Sequence, residues 1–163
     1  MRFPDSLVIY STLLVALLLT ALRLPADAPA VMGWLRPDWA ALVLLYWVMA
    51  VPQQVGMGTA WVVGILVDSL TGNLLGQHAL GLVLIAFLAL SLYERLRMYS
   101  QLQQAVIVFL GIAVAQWLDF SIAAFTRGAT WSPMMLLPAL TSALIWPFAF
   151  ALLRALRRRF NIA

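Results

Sequence analysis

Residues 102–125 read LQQAVIVFLGIAVAQWLDFSIAAF, an apolar run whose one charged residue is Asp119. The apolar positions follow one another without alternating, so the stretch reads as a helix and not as a strand of an outer-membrane barrel. It exceeds the roughly 20 residues that cross a hydrocarbon layer. Working outward, five more runs of this kind occupy 7–22, 39–51, 55–70, 79–93 and 134–153. Turn signals separate them: Pro25, Pro29 and Pro37, then Pro52-Gln53-Gln54, then Thr71-Gly72-Asn73, then the polar 94–100 segment, then Gly128 and Pro133. The expectation is an all-α integral membrane protein with six transmembrane helices in one domain over residues 1–163.

Composition agrees. Of 163 residues, 64% are apolar and 10% charged, whereas a soluble domain carries about 25% charged residues. Mean hydropathy is +0.98. Six spans use about 120 residues, and the remaining ~43 suffice only for tails and short loops. No room is left for a soluble nucleotide-binding or extracellular module. The ten basic residues are all Arg, against six acidic ones, for a net charge of +4. No nucleic-acid motif accompanies them, so the charge reads as membrane orientation and lipid contact. Cysteine is absent and His78 is the single histidine. Thiolate chemistry and a histidine metal cluster are therefore not expected, and no cofactor is.

Arg2 ahead of an apolar run, with Ala26-Asp27-Ala28 behind it, has the outline of a signal peptide. Pro29 after the would-be cut, and an apolar stretch that long, favour an uncleaved first span. With six spans and the N-terminus inside, Arg2, Arg95, Arg97, Arg154, Arg157, Arg158 and Arg159 lie on the cytoplasmic side. Arg23, Arg36 and Arg127 lie outside. That bias places both termini in the cytoplasm. Trp34, Trp39 and Trp131 then mark the outer interface, and Tyr93 and Tyr99 the inner one.

Small residues recur every fourth position at Gly56, Ala60, Gly64, Gly72 and Gly76, with Asp68 inside the series. Such a ladder lets helix backbones approach closely, because lipid gives helices no hydrophobic drive to associate. It serves packing within this chain or a partner helix, and its last members fall past the helix end. Asp68 is either a functional intramembrane carboxylate or a cap for the 71–73 turn. Asp119 sits deeper, with Gln116 one turn earlier on the same face, a pair suited to interhelical hydrogen bonds. The Arg154, Arg157, Arg158 and Arg159 cluster is a topology anchor, an anionic-lipid contact or a docking point for an acidic partner. Enzyme signatures fail. There is no Gly-x-Ser-x-Gly, Walker or His-Glu-x-x-His motif, and neither Asp68 nor Asp119 has the Gly-x-Gly-Asp context of an aspartyl intramembrane protease. Ser69, Asp68 and His78 do not make a triad by sequence alone.

Arg36-Pro37-Asp38-Trp39, Leu44-Leu45-Tyr46-Trp47 and Pro52 open a series that continues through Val55-Gly56, Gly58, Gly64-x-x-x-Asp68, Gly72 and Leu75-Gly76. Gln103-Gln104-Ala105 and Trp146-Pro147 extend it. Together they resemble the bacterial rod shape-determining MreD family over essentially the whole length. The resemblance implies a noncatalytic inner-membrane scaffold of the cell-elongation machinery. It would bind MreC and be linked to MreB, RodZ, RodA and the elongation transpeptidase of lateral peptidoglycan synthesis. It also implies a fold distantly similar to the substrate-binding subunits of vitamin transporters. A transporter subunit of that kind is the alternative function.

On the six-span reading Arg36, Asp38, Asp68, His78 and Asp119 gather toward the outer face. Pairing of Asp68 or Asp119 with Arg36, or exposure to a water-filled outer cleft, relieves the cost of carboxylates at that depth. Such a cluster is either a partner contact or an internal network. Reporters active only outside the cytoplasm should be silent when fused at Ala163 and active when fused near Ala28; the reverse pattern overturns the six-span reading.

Overall fold

A computed structural model describes residues 5–22, 27 and 29–162. Arg2, Arg23, Ala26 and Ala28 fall outside them, so part of the arginine count and of the signal-peptide outline does too. The described chain forms α1 (Asp5–Ala21), α2 (Ala30–Trp34), α3 (Trp39–Ala50), α4 (Met57–Thr71), α5 (Gln77–Met98), α6 (Gln101–Arg127) and α7 (Leu137–Arg159), with a 3-10 turn at Pro133–Leu136 ahead of α7. The six longer helices stand where the six apolar runs are, and α2 is an addition. Gln77–Met98, Gln101–Arg127 and Pro133–Arg159 are each long and apolar enough to cross a membrane; α1 and α4 are shorter apolar helices.

Two helices run well past their apolar cores. α5 continues through Arg95 and Arg97 to Met98, beyond the expected end at 93, and α7 reaches Arg159 instead of 153. Charged but helix-favouring residues carry both extensions, and hydropathy alone does not register them. α6 opens on a reciprocal cap between Ser100 and Gln103 and closes on Gly128 at φ +65°.

α3 is the centre of the bundle. Ala40–Leu42 and Leu44–Ala50 are buried, as expected for a helix apolar all round. It packs against α1, α4, α5 and α7, while α6 lies on α5 and α7. Twelve residues span only about 18 Å, well short of the ~30 Å hydrocarbon layer. Its ends therefore need partners from the protein. At the start, Asp38 accepts from the Ala41 N–H (3.0 Å), and the Asp38 N–H donates to buried Ser142 Oγ of α7 (2.8 Å). At the finish, Arg97 reaches over from α5 and donates to the carbonyls of Met49 and Ala50, each at 2.9 Å.

Other buried polar groups are paired across helices. Trp47 Nε1 donates to Thr12 Oγ1 (2.8 Å). Gln104 donates to the Leu96 carbonyl (2.9 Å) and accepts from Trp146 Nε1 (3.2 Å), which ties α5, α6 and α7 together.

The small-residue ladder divides between two jobs. Ala60, Gly64 and Asp68 are buried, and at Gly64 a Cβ would lie 2.2 Å from Ala79 Cα and 2.6 Å from Ala79 N. This is the closest helix approach in the molecule's glycine set, between α4 and α5. Gly72 (φ +74°) and Gly76 (φ +100°) do not belong to the seam. Nothing lies within 4 Å of a Cβ at either, and their left-handed conformations make the turn from α4 into α5. Gly56 is the extended N-cap of α4.

Gly64→Ala should therefore destabilise the protein by about 1–3 kcal/mol or more, because backbone and not a flexible side chain stands in the way. Gly58→Ala, with open space around it, should be neutral or stabilising by up to ~1 kcal/mol. Thermal unfolding in detergent checks both; equal midpoints for the two variants refute the seam.

Candidate functional site

Asp68 stands in the last turn of α4, fully buried. Its backbone carbonyl accepts from the N–H groups of Gly72 (2.9 Å) and Asn73 (3.1 Å), which ends α4. Its carboxylate does something different. Oδ2 accepts from the Gly76 N–H (2.8 Å) and Oδ1 from the His78 N–H (3.0 Å). These are open donors at the N-terminus of α5, where the helix dipole also favours negative charge. Asp68 thus closes one helix and opens the next. The expected cap on the 71–73 turn is made by its backbone, while its side chain caps α5.

The same Oδ1 lies 2.8 Å from His78 Nδ1, which fixes the proton of the neutral ring on Nδ1. His78 Nε2 then faces Asp119 Oδ2 at 3.5 Å. A proton on Nε2 or on Asp119 completes that contact, so Asp68, His78 and Asp119 form a chain across α4, α5 and α6. A second strand of polar contacts runs beside it. Gln77 donates to the Asp119 carbonyl (3.1 Å), and Arg127 donates to Gln77 Oε1 (2.9 Å) and Asn73 Oδ1 (3.2 Å). Gln77, Asn73 and Arg127 were not among the sequence candidates. The available signal was two amide side chains, Asn73 and Gln77, at the turn into α5, with an arginine ending α6.

Among the described residues two buried acceptors have no hydrogen bond, Gln116 Oε1 and Asp119 Oδ1. The Gln116–Asp119 pair therefore does not make the set of interhelical bonds expected of it; only Asp119 reaches across, to His78.

Of the two expected remedies for the buried carboxylates, pairing with Arg36 is not made: Arg36 does not bond Asp68 or Asp119, while Asp119 lines a cavity. The Arg36 guanidinium donates to the carbonyls of Leu19 and Leu22 at the C-terminal end of α1. Carbonyls at the end of a helix carry its negative pole and call for donors from outside it, whereas Asp68 is already served by two backbone N–H groups and an imidazole. Arg36 and Asp38 instead face His78 and Gln116 across a cavity of about 230 Å³. A second cavity, of about 340 Å³, is lined by Trp34, Gln77, Phe120 and Asp119 and shares His78, Gln116 and Pro138 with the first. Arg36, Asp38, His78 and Asp119 thus border these adjoining cavities, a polar cleft at one end of the bundle, while Asp68 is buried behind His78 and lines neither.

The remaining candidates lie elsewhere. Ser69 Oγ donates to its own helix at Ile65 (2.8 Å) and forms no triad with His78. Gly56 begins α4 away from the cleft. Arg154, Arg157, Arg158 and Arg159 end α7, whose first residues are at the cleft, so they sit at the far end of the bundle.

The family model for rod shape-determining protein MreD matches residues 1–156. This chain belongs to the MreD family. It is 34% identical over 137 residues to the rod shape-determining protein MreD of Haemophilus influenzae, covering 84% of this chain and 85% of that one. No solved structure matches, so the expected likeness to vitamin-transporter subunits gains no support from one. Family membership assigns the chain to bacterial cell-shape determination. The apolar helices make it a membrane protein, and within the MreD family Asp68 and Gly64 are the two residues whose structural roles are plainest here.

Asp68→Asn keeps one acceptor oxygen but turns an amide toward a backbone N–H. It should cost about 1–3 kcal/mol, read as a lower thermal midpoint and lower membrane level. Asp119→Asn should stay within ~1 kcal/mol of the parent, because the amide can keep its oxygen toward His78 Nε2 and put its nitrogen where Oδ1 has no bond to lose. Equal behaviour of the two variants would contradict the capping role of Asp68.

Proposed function

We propose that this MreD-family chain is a noncatalytic scaffold of the bacterial inner membrane that binds MreC and supports lateral peptidoglycan synthesis. Both termini face the cytoplasm, and the polar cleft opens on the outer side. MreB, RodZ, RodA and the elongation transpeptidase belong to the wider assembly to which this chain is linked. The arginine bias supports this orientation. The observation that carries the partner reading is the pair of unserved acceptors, Gln116 Oε1 and Asp119 Oδ1, beside a cleft lined by polar groups. Buried acceptors of this kind cost free energy until a donor arrives, and a partner crossing the outer interface can bring one. The intramembrane carboxylates serve architecture and contact, not acid–base chemistry on a substrate.

A second reading, a substrate-binding transporter subunit, draws on the 340 Å³ cavity, which falls within the ~300–1,000 Å³ of small-molecule sites. Replacing Gln116 by Leu together with Asp119→Asn removes the free acceptors and leaves the Asp68 cap intact. In cells co-expressing MreC, the double variant should reach normal membrane level, lose co-purification with MreC and give rounded cells. Undiminished MreC recovery and rod shape would overturn the scaffold reading in this form.

A further inference from the structure

α1 and α7 each pack on α3 and leave between themselves a groove that runs from Trp39, beside the polar cleft, toward the arginine end of α7. Its volume is about 420 Å³, and its lining includes Ala16 and Leu19 on one wall, Ala149, Leu152 and Leu156 on the other, and Trp39 on the floor. We propose that this groove and Arg159 form a site for one anionic phospholipid, with an acyl chain in the groove and the phosphate on the guanidinium.

Two independent features point to that occupant. The first is size. Along α7 the lining runs from Ile145 to Leu156, about 16 Å of helix, close to the ~15 Å of one leaflet's hydrocarbon. A partner helix is about 10 Å across with its side chains, a wide body for a groove between two helices that both pack on α3. An acyl chain is the narrower apolar body that a membrane supplies.

The second feature is charge at the groove's mouth. At 100° per residue, Arg159 lies one turn beyond Leu156 and two beyond Leu152, on the same stripe of α7. It is exposed. Arg154 and Arg158 are exposed beside it, whereas Arg157 is half-buried and donates to the Ile162 carbonyl (3.1 Å). α7 contains no acidic residue. A planar guanidinium at the depth where a headgroup phosphate sits can bind it through two parallel hydrogen bonds. The site depends on the membrane setting alone and not on which end of the bundle faces the cytoplasm.

The test uses the full chain in nanodiscs and in detergent, with phosphatidylglycerol and phosphatidylcholine of matched chains as probes. Native mass spectrometry counts bound lipid and thermal unfolding reads the effect. The parent should retain phosphatidylglycerol in preference to phosphatidylcholine and gain thermal stability from it. Arg159→Gln should weaken phosphatidylglycerol about fivefold, the size expected for one arginine at a charged interface, and Arg159→Lys should weaken it less. Ala149→Phe fills the groove and should abolish retention, while Leu144→Phe, at an exposed position off that stripe, should not. Equal binding of the two lipids overturns the site, as does indifference to both Arg159→Gln and Ala149→Phe. So does an Ala149→Phe variant that keeps its lipid but loses MreC, since the groove then holds a protein helix. Arg159→Gln is a surface change, so the question stays answerable even if Ala149→Phe fails to fold.

Discussion

A backbone carbonyl or N–H left unpaired in hydrocarbon costs several kcal/mol, and that cost organises this molecule. Long helices meet the demand internally except at their ends. Short ones bring their ends inside, and α3, at the centre, is the shortest of the six long helices. Its position is possible because Asp38 and Ser142 serve its first turn and Arg97 its last carbonyls. Arg36 does for α1 what Arg97 does for α3. Asp68 does the complementary job for α5, offering a carboxylate to the N–H groups that no earlier turn can satisfy. The charged residues within the bundle are mostly helix ends completed from elsewhere in the chain.

Once the caps are in place, the polar groups concentrate. Asp68, His78 and Asp119 lock the heads of α4, α5 and α6 together, and the Arg127–Gln77 contact reinforces the lock. Below it, close packing takes over: Gly64 on Ala79, and Gly81 3.1 Å from Ala115 when given a Cβ. A rigid polar head on an apolar body accords with the proposed scaffold role. Among the described residues the two unserved acceptors stand out in the head, and the α1–α7 groove, of about 420 Å³, is accompanied by smaller openings at α1–α4 and α5–α6.

How far the residues announced these arrangements varies with the distance over which each acts. Asp38 as an N-cap and Ser100-x-x-Gln103 as a capping box are local patterns, three residues wide. The four-residue ladder was visible as a series, but its members are alike only in sequence. Gly64 is a contact, while Gly72 and Gly76 are backbone conformations, and spacing does not separate the two. Pairing of Arg36 with a carboxylate was one of two expected remedies, because opposite charges attract, and it is not the one found. The carbonyls that Arg36 serves carry no side-chain signature, so no pattern of residue types marks them. Arg97 counted as an orientation marker for the same reason, and Gln77 and Arg127 were passed over because their contact joins residues fifty apart.

The sequence by itself determined the class of the protein: continuous apolar runs separated by turn residues can only be helices in a bilayer, because period and hydropathy are local quantities. It also marked the family, through motifs spread in order along the chain. Tertiary structure decided which helix is central, which carboxylate meets the histidine, which arginines complete helices and which are free, and where a cleft and a groove remain. Those outcomes follow from the relative placement of six helices, and that placement depends on caps and close contacts between residues far apart in the chain.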